Sequence, residues 1–317
     1  MILLKRLMAG TATLTSALAL MAVAPAALAH SQWLLPSATQ VEASTNPQRP
    51  TYVTVDAAVS NTLFFADHVA MRLTAIQIVA PDGSVIQPEN PSTGKLRSTF
   101  DVKLDAEGTY RIASVSQSVM AAWKDGTEIK TFRGSEADFA AQVPANAPEL
   151  KVSRNSGRVE TFVTAGKPSA IKPVGKGLEL LPLQPTTDLV VGDKAKFRVL
   201  LDGKAQPGLK VKVTPGGVRY RGDLEDQTVA ADANGDIAID WKFGGVYYLS
   251  TSYPLREEDD DHGPQPGGAP AGGPQPGAAG PQAGGQQAGP GARAGMSMAN
   301  MPPVRSSYAL TVEVLPF

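Results

Sequence analysis

Alternation of apolar and polar positions dominates the chain beyond residue 30. Thr51-Tyr52-Val53-Thr54-Val55 alternates β-branched and aromatic residues, and Met71 to Val79 continues the pattern up to the turn Pro81-Asp82-Gly83. Phe100 to Leu104 is a short run closed by Ala106-Glu107-Gly108, and Thr109 to Val115 follows directly. Side chains two apart on a strand share a face, so this period predicts half-buried strands separated by turns. Ser135 to Gln142 breaks the rhythm. Ser135 suits an N-cap, Glu136 and Asp138 suit a first helical turn, and Phe139 offers one apolar anchor, which predicts a single short helix. Val159 to Thr164 closes the first β-rich region.

Lys167 to Leu183 carries Pro168, Pro173, Pro182 and several glycines, and reads as a linker running into a new strand. The alternation then sharpens. Lys194 to Leu201 leads into the turn Asp202-Gly203, and Leu209 to Thr214, Thr228 to Ala230, Asp236 to Trp241 and Val246 to Tyr253 repeat the pattern. Asp232-Ala233-Asn234-Gly235 predicts a tight turn, with Asn-Gly supplying positive φ angles. About seven strands in roughly 130 residues predict an immunoglobulin-like sandwich.

Residues 256–303 depart from this pattern. Glu257-Glu258-Asp259-Asp260-Asp261-His262 is followed by repeats of Gly, Pro, Gln and Ala. Such a composition buries too little apolar surface to offset chain entropy, which predicts a disordered insertion. Ser307 to Leu315 resumes the alternation, so the insertion falls before the last strand of a domain. The fold expected is all-β, with two β-sandwich domains, the second immunoglobulin-like. The expected divisions are a signal peptide at 1–29, a β-rich domain at 30–166, a linker and first strand at 167–184, and a sandwich at 185–317.

The signal reading rests on Lys5 and Arg6, an apolar Ala/Leu-rich run, and the small pair Ala27 and Ala29. It implies export to the periplasm. No second apolar run approaches the roughly 18 residues of a transmembrane helix, so no membrane span is expected after cleavage. Of 317 residues, 29 are Lys or Arg and 30 are Asp or Glu, a formal charge of −1. Cleavage after Ala29 removes Lys5 and Arg6 and takes it to −3. No basic cluster suits nucleic acid. The chain has no cysteine, which excludes disulfides, thiolate metal sites and a cysteine nucleophile.

Cleavage after Ala29 would leave His30 as the first residue. A terminal histidine presents its α-amine and ring Nδ1 together, and these donors suit copper, nickel and zinc. The plain alternative is that cleavage has to leave some residue first. Only two other histidines exist, His68 and His262. His68 lies in the same expected domain and is the preferred third nitrogen; otherwise it is a half-buried polar residue ending a strand. Asp67 offers an oxygen, or a partner that orients the imidazole. Neighbours on a strand face opposite ways, so both reach one ion only where the backbone is irregular. A second set is His262 with Met296, Met298 and Met301, since thioethers suit Cu(I). Its plain reading is a solvating acidic run with chance methionines.

Several phrases, in order, resemble one family. They are His30-Ser31-Gln32-Trp33-Leu34-Leu35-Pro36, Leu63-Phe64-Phe65-Ala66-Asp67-His68, and Leu178-Glu179-Leu180-Leu181-Pro182-Leu183-Gln184-Pro185. Leu200-Leu201-Asp202-Gly203-Lys204, Asp232-Ala233-Asn234-Gly235 and Gly244-Gly245-Val246-Tyr247-Tyr248-Leu249 complete the set. The set resembles the bacterial periplasmic domain-of-unknown-function 4198 family. The resemblance implies a periplasmic component of cobalt or nickel uptake, whose partner is an envelope transporter or an outer-membrane receptor. In the family a Gly-His pair is typical where this chain has Asp67-His68.

No nucleophile elbow, phosphate loop, dinucleotide fingerprint or His-Glu-x-x-His occurs, so no catalytic residue is assigned. The leading expectation is a non-catalytic protein that binds a copper, nickel or cobalt ion or assists its uptake. A module that binds a protein or glycan through strand edges and loops is the main competitor. An oxidative copper enzyme built on the terminal histidine is the third.

Overall fold

The protein, described here from a computed structural model, is placed over residues 30–46, 48–221, 224–255 and 301–316. The expected signal segment and residues 256–300 of the Gly/Pro-rich segment lie outside the described residues.

The first part of the chain forms β1 (Ser31–Pro36), β2 (Gln40–Val41), β3 (Thr51–Ser60), β4 (Val69–Ala70), β5 (Ile76–Val79) and β6 (Val85–Ile86). It continues with β7 (Glu89–Thr93), β8 (Ser98–Leu104), β9 (Gly108–Asp125), β10 (Glu128–Gly134), the helix α1 (Glu136–Gln142) and β11 (Lys151–Ala165). The second part forms β12 (Leu178–Pro182), β13 (Lys194–Leu201), β14 (Lys204–Ala205), β15 (Lys210–Pro215) and β16 (Gln227–Ala230). It ends with β17 (Asp236–Asp240), β18 (Gly245–Tyr253) and β19 (Val304–Val314). The fold is all-β with immunoglobulin-like character, as the alternation predicts.

The strands make three sheets among the described residues. A 10-stranded sheet runs β16-β15-β18-β19-β11-β9-β5-β6, with β10 beside β9 and β2 beside β11. A 5-stranded sheet, β1-β3-β8-β7 with β4 on β3, packs on one of its faces. A 4-stranded sheet, β12-β13-β14 with β17 on β13, packs on the other. The two sandwiches therefore share one sheet. The junction is the parallel pairing of β11 with β19, from Arg154↔Val304 to Thr161↔Thr311.

The alternation along β11 explains how one strand serves both cores. Val159, Val163 and Ala165 point into the first core, with Leu34, Val55, Phe100 and Ile112. Phe162 points into the second, with Phe197, Trp241, Leu249 and Leu310. β19 repeats the device: Tyr308, Leu310, Val312 and Val314 enter the second core, and Ala309 the first. A strand covered on both faces reads as a continuous buried run, and residues 159–165 are buried throughout.

Each sandwich carries the same corner. The Tyr110 hydroxyl accepts from Ala106 N at 2.8 Å and donates to Ala106 O at 3.0 Å. The Tyr247 hydroxyl does the same with Phe243 N and Phe243 O, each at 3.0 Å. Both tyrosines lie near the start of a strand, where a hydroxyl bonded back to upstream backbone fixes a sandwich corner.

The predicted short helix is α1. The Ser135 side chain accepts from Asp138 N, and the Asp138 side chain accepts from Ser135 N, a complete capping box. The turn after Asp232 differs from the expected Asn-Gly pair. Only Gly235 has positive φ, +79°, and Asp232 Oδ1 closes the turn by accepting from Asn234 N and Asp236 N. Of the stretch Met71 to Val79, only Ile76–Val79 is strand; Leu73–Ala75 is a 3₁₀ turn. β9 and β11 run longer than expected, because each of the 15 residues of β11 finds a partner on β9 despite the polar stretch at 153–157.

Candidate functional site

The site is built where β1 begins beside the end of β3. Ser31 pairs with Ser60, so the residue before β1 stands beside the loop that follows β3. The indole Nε1 of Trp33 donates to Ser60 Oγ at 2.8 Å in a buried setting, and the Tyr248 hydroxyl donates to Gln32 O at 3.0 Å. These bonds pin the start of β1 to both sandwiches.

The loop from Asn61 to His68 is held by its own carboxylate. Asp67 Oδ1 accepts from Asn61 N at 2.7 Å, and Oδ2 accepts from Thr62 N at 3.0 Å. Burial raises the Asp67 carboxyl, but the Thr62 hydroxyl and the backbone N–H groups outweigh it and hold the carboxyl below its ordinary value. Phe64 sits at φ +62°, a region few non-glycine residues adopt. Its ring is fixed edge-on to Trp33 at 5.8 Å and to Tyr248 at 6.3 Å. Gly216 of the second sandwich makes room for it: a Cβ there would lie 3.1 Å from the Phe64 ring and 2.7 Å from Val246 O.

This irregular loop brings the two predicted histidines together. The His30 and His68 rings are stacked, with centroids 3.9 Å apart and planes 14° from parallel. Both residues are exposed. Imidazole lone pairs lie in the ring plane, so stacked rings direct them in separate planes. Asp67 is brought to the same loop, but both its oxygens are turned inward to the backbone. Among the described residues, no group of three or more His, Cys, Asp or Glu side chains is placed to hold a metal ion.

His262, Met296 and Met298 lie outside the described residues. Met301 precedes β19, whose first residue pairs with Arg154, whereas Thr311 near the other end pairs with Tyr248 beside Gln32. Seven residues of strand at about 3.3 Å each separate those two points, so Met301 stands toward the far end of β19 from the histidines.

Sequence reasoning did not anticipate the contacts that Phe65 of this loop makes with the second part of the chain. The Arg219 guanidinium lies 3.8 Å from the centre of the Phe65 ring, and Tyr220 meets that ring edge-on at 6.1 Å. Arg219 and Tyr220 belong to a 3₁₀ turn, Val218–Tyr220, that follows β15. The adjacent aromatics Phe64-Phe65 were visible in the sequence, but nothing local points to residues 150 positions away.

The molecule is thus an all-β protein of two sandwiches on one shared sheet, with an exposed histidine pair at the start of its first strand. Residues 27–254 match the family described as Domain of unknown function (DUF4198), and the chain belongs to that family. No curated protein matches it. Among solved structures, the D0-D1 domain of intimin is similar at 14% identity and a TM-score of 0.20, over 68% of this chain and 88% of that one. A DUF4785 family protein from Legionella pneumophila is similar at 10% identity and a TM-score of 0.21, over 69% of this chain and 50% of that one. Escherichia coli alpha-2-macroglobulin activated by porcine elastase is similar at 13% identity and a TM-score of 0.19, over 70% of this chain and 18% of that one. At these values the likenesses carry no functional argument. No helix of the described residues is long and apolar enough to cross a membrane.

Proposed function

We propose that the chain, exported to the periplasm and processed to begin at His30, binds a transition-metal ion and passes it on without chemistry. The supporting observation is the 3.9 Å approach of the His30 and His68 rings from two separate elements. Two imidazoles alone hold an ion weakly. Cleavage before His30 adds the α-amine, and amine plus Nδ1 form a chelate on one residue. Three nitrogens suit copper, nickel or cobalt, and the last two agree with the uptake role that the family resemblance implies. Asp67 serves as the brace of the loop that carries His68. Its oxygens are already filled, so it enters as a positioning residue.

The test is titration of processed protein with Cu(II), Ni(II) and Co(II). The native-start form is expected to bind one equivalent. A form with one extra residue before His30 turns the amine into an amide and should lose affinity by roughly 100-fold or more, since loss of mere supporting partners costs 10–100-fold. His68→Ala should lose about tenfold. Binding should weaken in acid, where protons compete with the metal for the donor nitrogens. A variant lacking Met296, Met298 and Met301 should bind as the native form does. If the native-start form binds none of the three metals more tightly than the extended form, the reading is wrong, and a module for a protein or glycan partner replaces it.

A further inference from the structure

A second set of polar groups lies under the linker that crosses the shared sheet, and it shares no residue with the histidine pair. Arg158 and Glu160 project from β11 on the side of the second core, and Tyr308 projects beside them from β19. The Glu160 carboxylate is 1% exposed. Its Oε1 lies 2.8 Å from Arg111 Nε, and its Oε2 accepts from the Tyr308 hydroxyl. Oε1 accepts no hydrogen bond; Arg111 and Arg158 flank it as ion-pair partners, with Arg158 Nη1 at 3.7 Å. The Arg158 guanidinium makes no hydrogen bond among the described residues, and its side chain is 11% exposed.

Next to Arg158 is a half-open cavity of about 270 Å³, lined by Gln77, Gln117, Ser156, Arg158, Lys176 and Ser306 with their neighbours. Its roof is fixed by the second buried carboxylate of the region. Glu179 Oε2 accepts from Val174 N at 2.8 Å, and Oε1 accepts from Gly175 N at 3.0 Å. Leu178 N donates to Ser306 Oγ at 3.0 Å. Each Glu179 oxygen thus holds one backbone N–H of the linker. The cavity is thus lined by two cationic and two primary-amide residues, with Glu160 at ion-pair distance from Arg158 and the Glu179 oxygens bonded to backbone.

We propose that this cavity binds a small oxyanion of two negative charges, carboxylate or phosphate in type, with Arg158 as its principal contact and Lys176 as the second. A guanidinium fork matches two oxygens of either group, and a partly buried guanidinium whose N–H groups make no other hydrogen bond can engage them. The volume falls at the lower edge of ordinary ligand pockets, which restricts the ligand to a few heavy atoms. The Gln77 and Gln117 amides supply neutral donors at the rim.

The test uses the whole processed chain, titrated calorimetrically with inorganic phosphate and with succinate at constant ionic strength set by chloride. Saturable one-to-one binding of at least one probe below about 10 mM is expected. Arg158→Gln should abolish it, and the exposed Lys176→Glu should weaken it about tenfold. His68→Ala should leave it unchanged, which separates this site from the metal reading. Binding of phosphate alone or succinate alone assigns the class, and binding of both assigns the shared chemistry. The proposal is overturned if neither probe saturates, or if binding persists unchanged in Lys176→Glu. That second variant decides the matter even where Arg158→Gln does not fold.

Discussion

At the scale of single residues, the histidine pair depends on groups that never touch a ligand. Asp67 is the clearest. Removing its carboxylate leaves Asn61 N and Thr62 N without their acceptor, so Asp67→Ala should cost about 1 kcal/mol and loosen His68. The pH dependence has a definite sign. The folded-state carboxyl is held below its ordinary value, so its contribution is fully present above the ordinary aspartate value of about 3.9 and is lost as pH falls through the lower folded value. Urea unfolding of both proteins should therefore show a constant gap near neutrality that closes in acid. Gly216 is the other case. Its Cβ would press on Val246 O at 2.7 Å and on the Phe64 ring at 3.1 Å. Gly216→Ala should cost about 1–3 kcal/mol by overpacking, visible as a lower melting temperature, and should weaken metal binding with no change to any donor.

At the scale of elements, β11 carries the main structural consequence. Consecutive side chains serve different cores, Phe162 the second and Val163 the first. Phe162→Ala should cost about 3–5 kcal/mol, and Val163→Ala about 2 kcal/mol, from lost burial and residual cavities. Because the strand is common to both sandwiches, both substitutions should move one shared unfolding transition. Trp33 lies in the first sandwich and Trp241 in the second, so single-tryptophan variants report each half separately. Two transitions, each moved by only one substitution, would show that the halves unfold independently. The strand periods were readable in the sequence, but the full lengths of β9 and β11 were not. Stretches such as Ser116-Gln117-Ser118 and Asn155-Ser156-Gly157 lack an apolar face, and they stay extended because each is the other's partner.

At the scale of the whole molecule, the long segment between β18 and β19 closes a hairpin. Tyr253 pairs with Ser306, and the register continues unbroken to Gly245↔Val314. The strand ends are therefore already adjacent, and loop length adds closure cost only logarithmically. Replacing residues 256–303 with a short Gly/Ser loop should leave the melting temperature within about 3 °C, less than 1 kcal/mol in a chain of this size. A drop several times larger would mean that the segment packs on the sandwich.

The sequence alone determined which residues alternate and where turns and the capped helix fall. All of these are set by neighbours within a few positions. Tertiary structure decided what the periods could not. A period of two assigns side chains to faces but names no partner strand, so the parallel union of β11 with β19, and hence the shared sheet, was hidden across 150 residues. The same holds for the site. His30 and His68 were legible as residue types, but their meeting depends on Ser31↔Ser60 register, on Phe64 at positive φ, and on a glycine from the other sandwich. Long-range packing sets those conditions, because only the folded chain decides which distant surfaces have to fit.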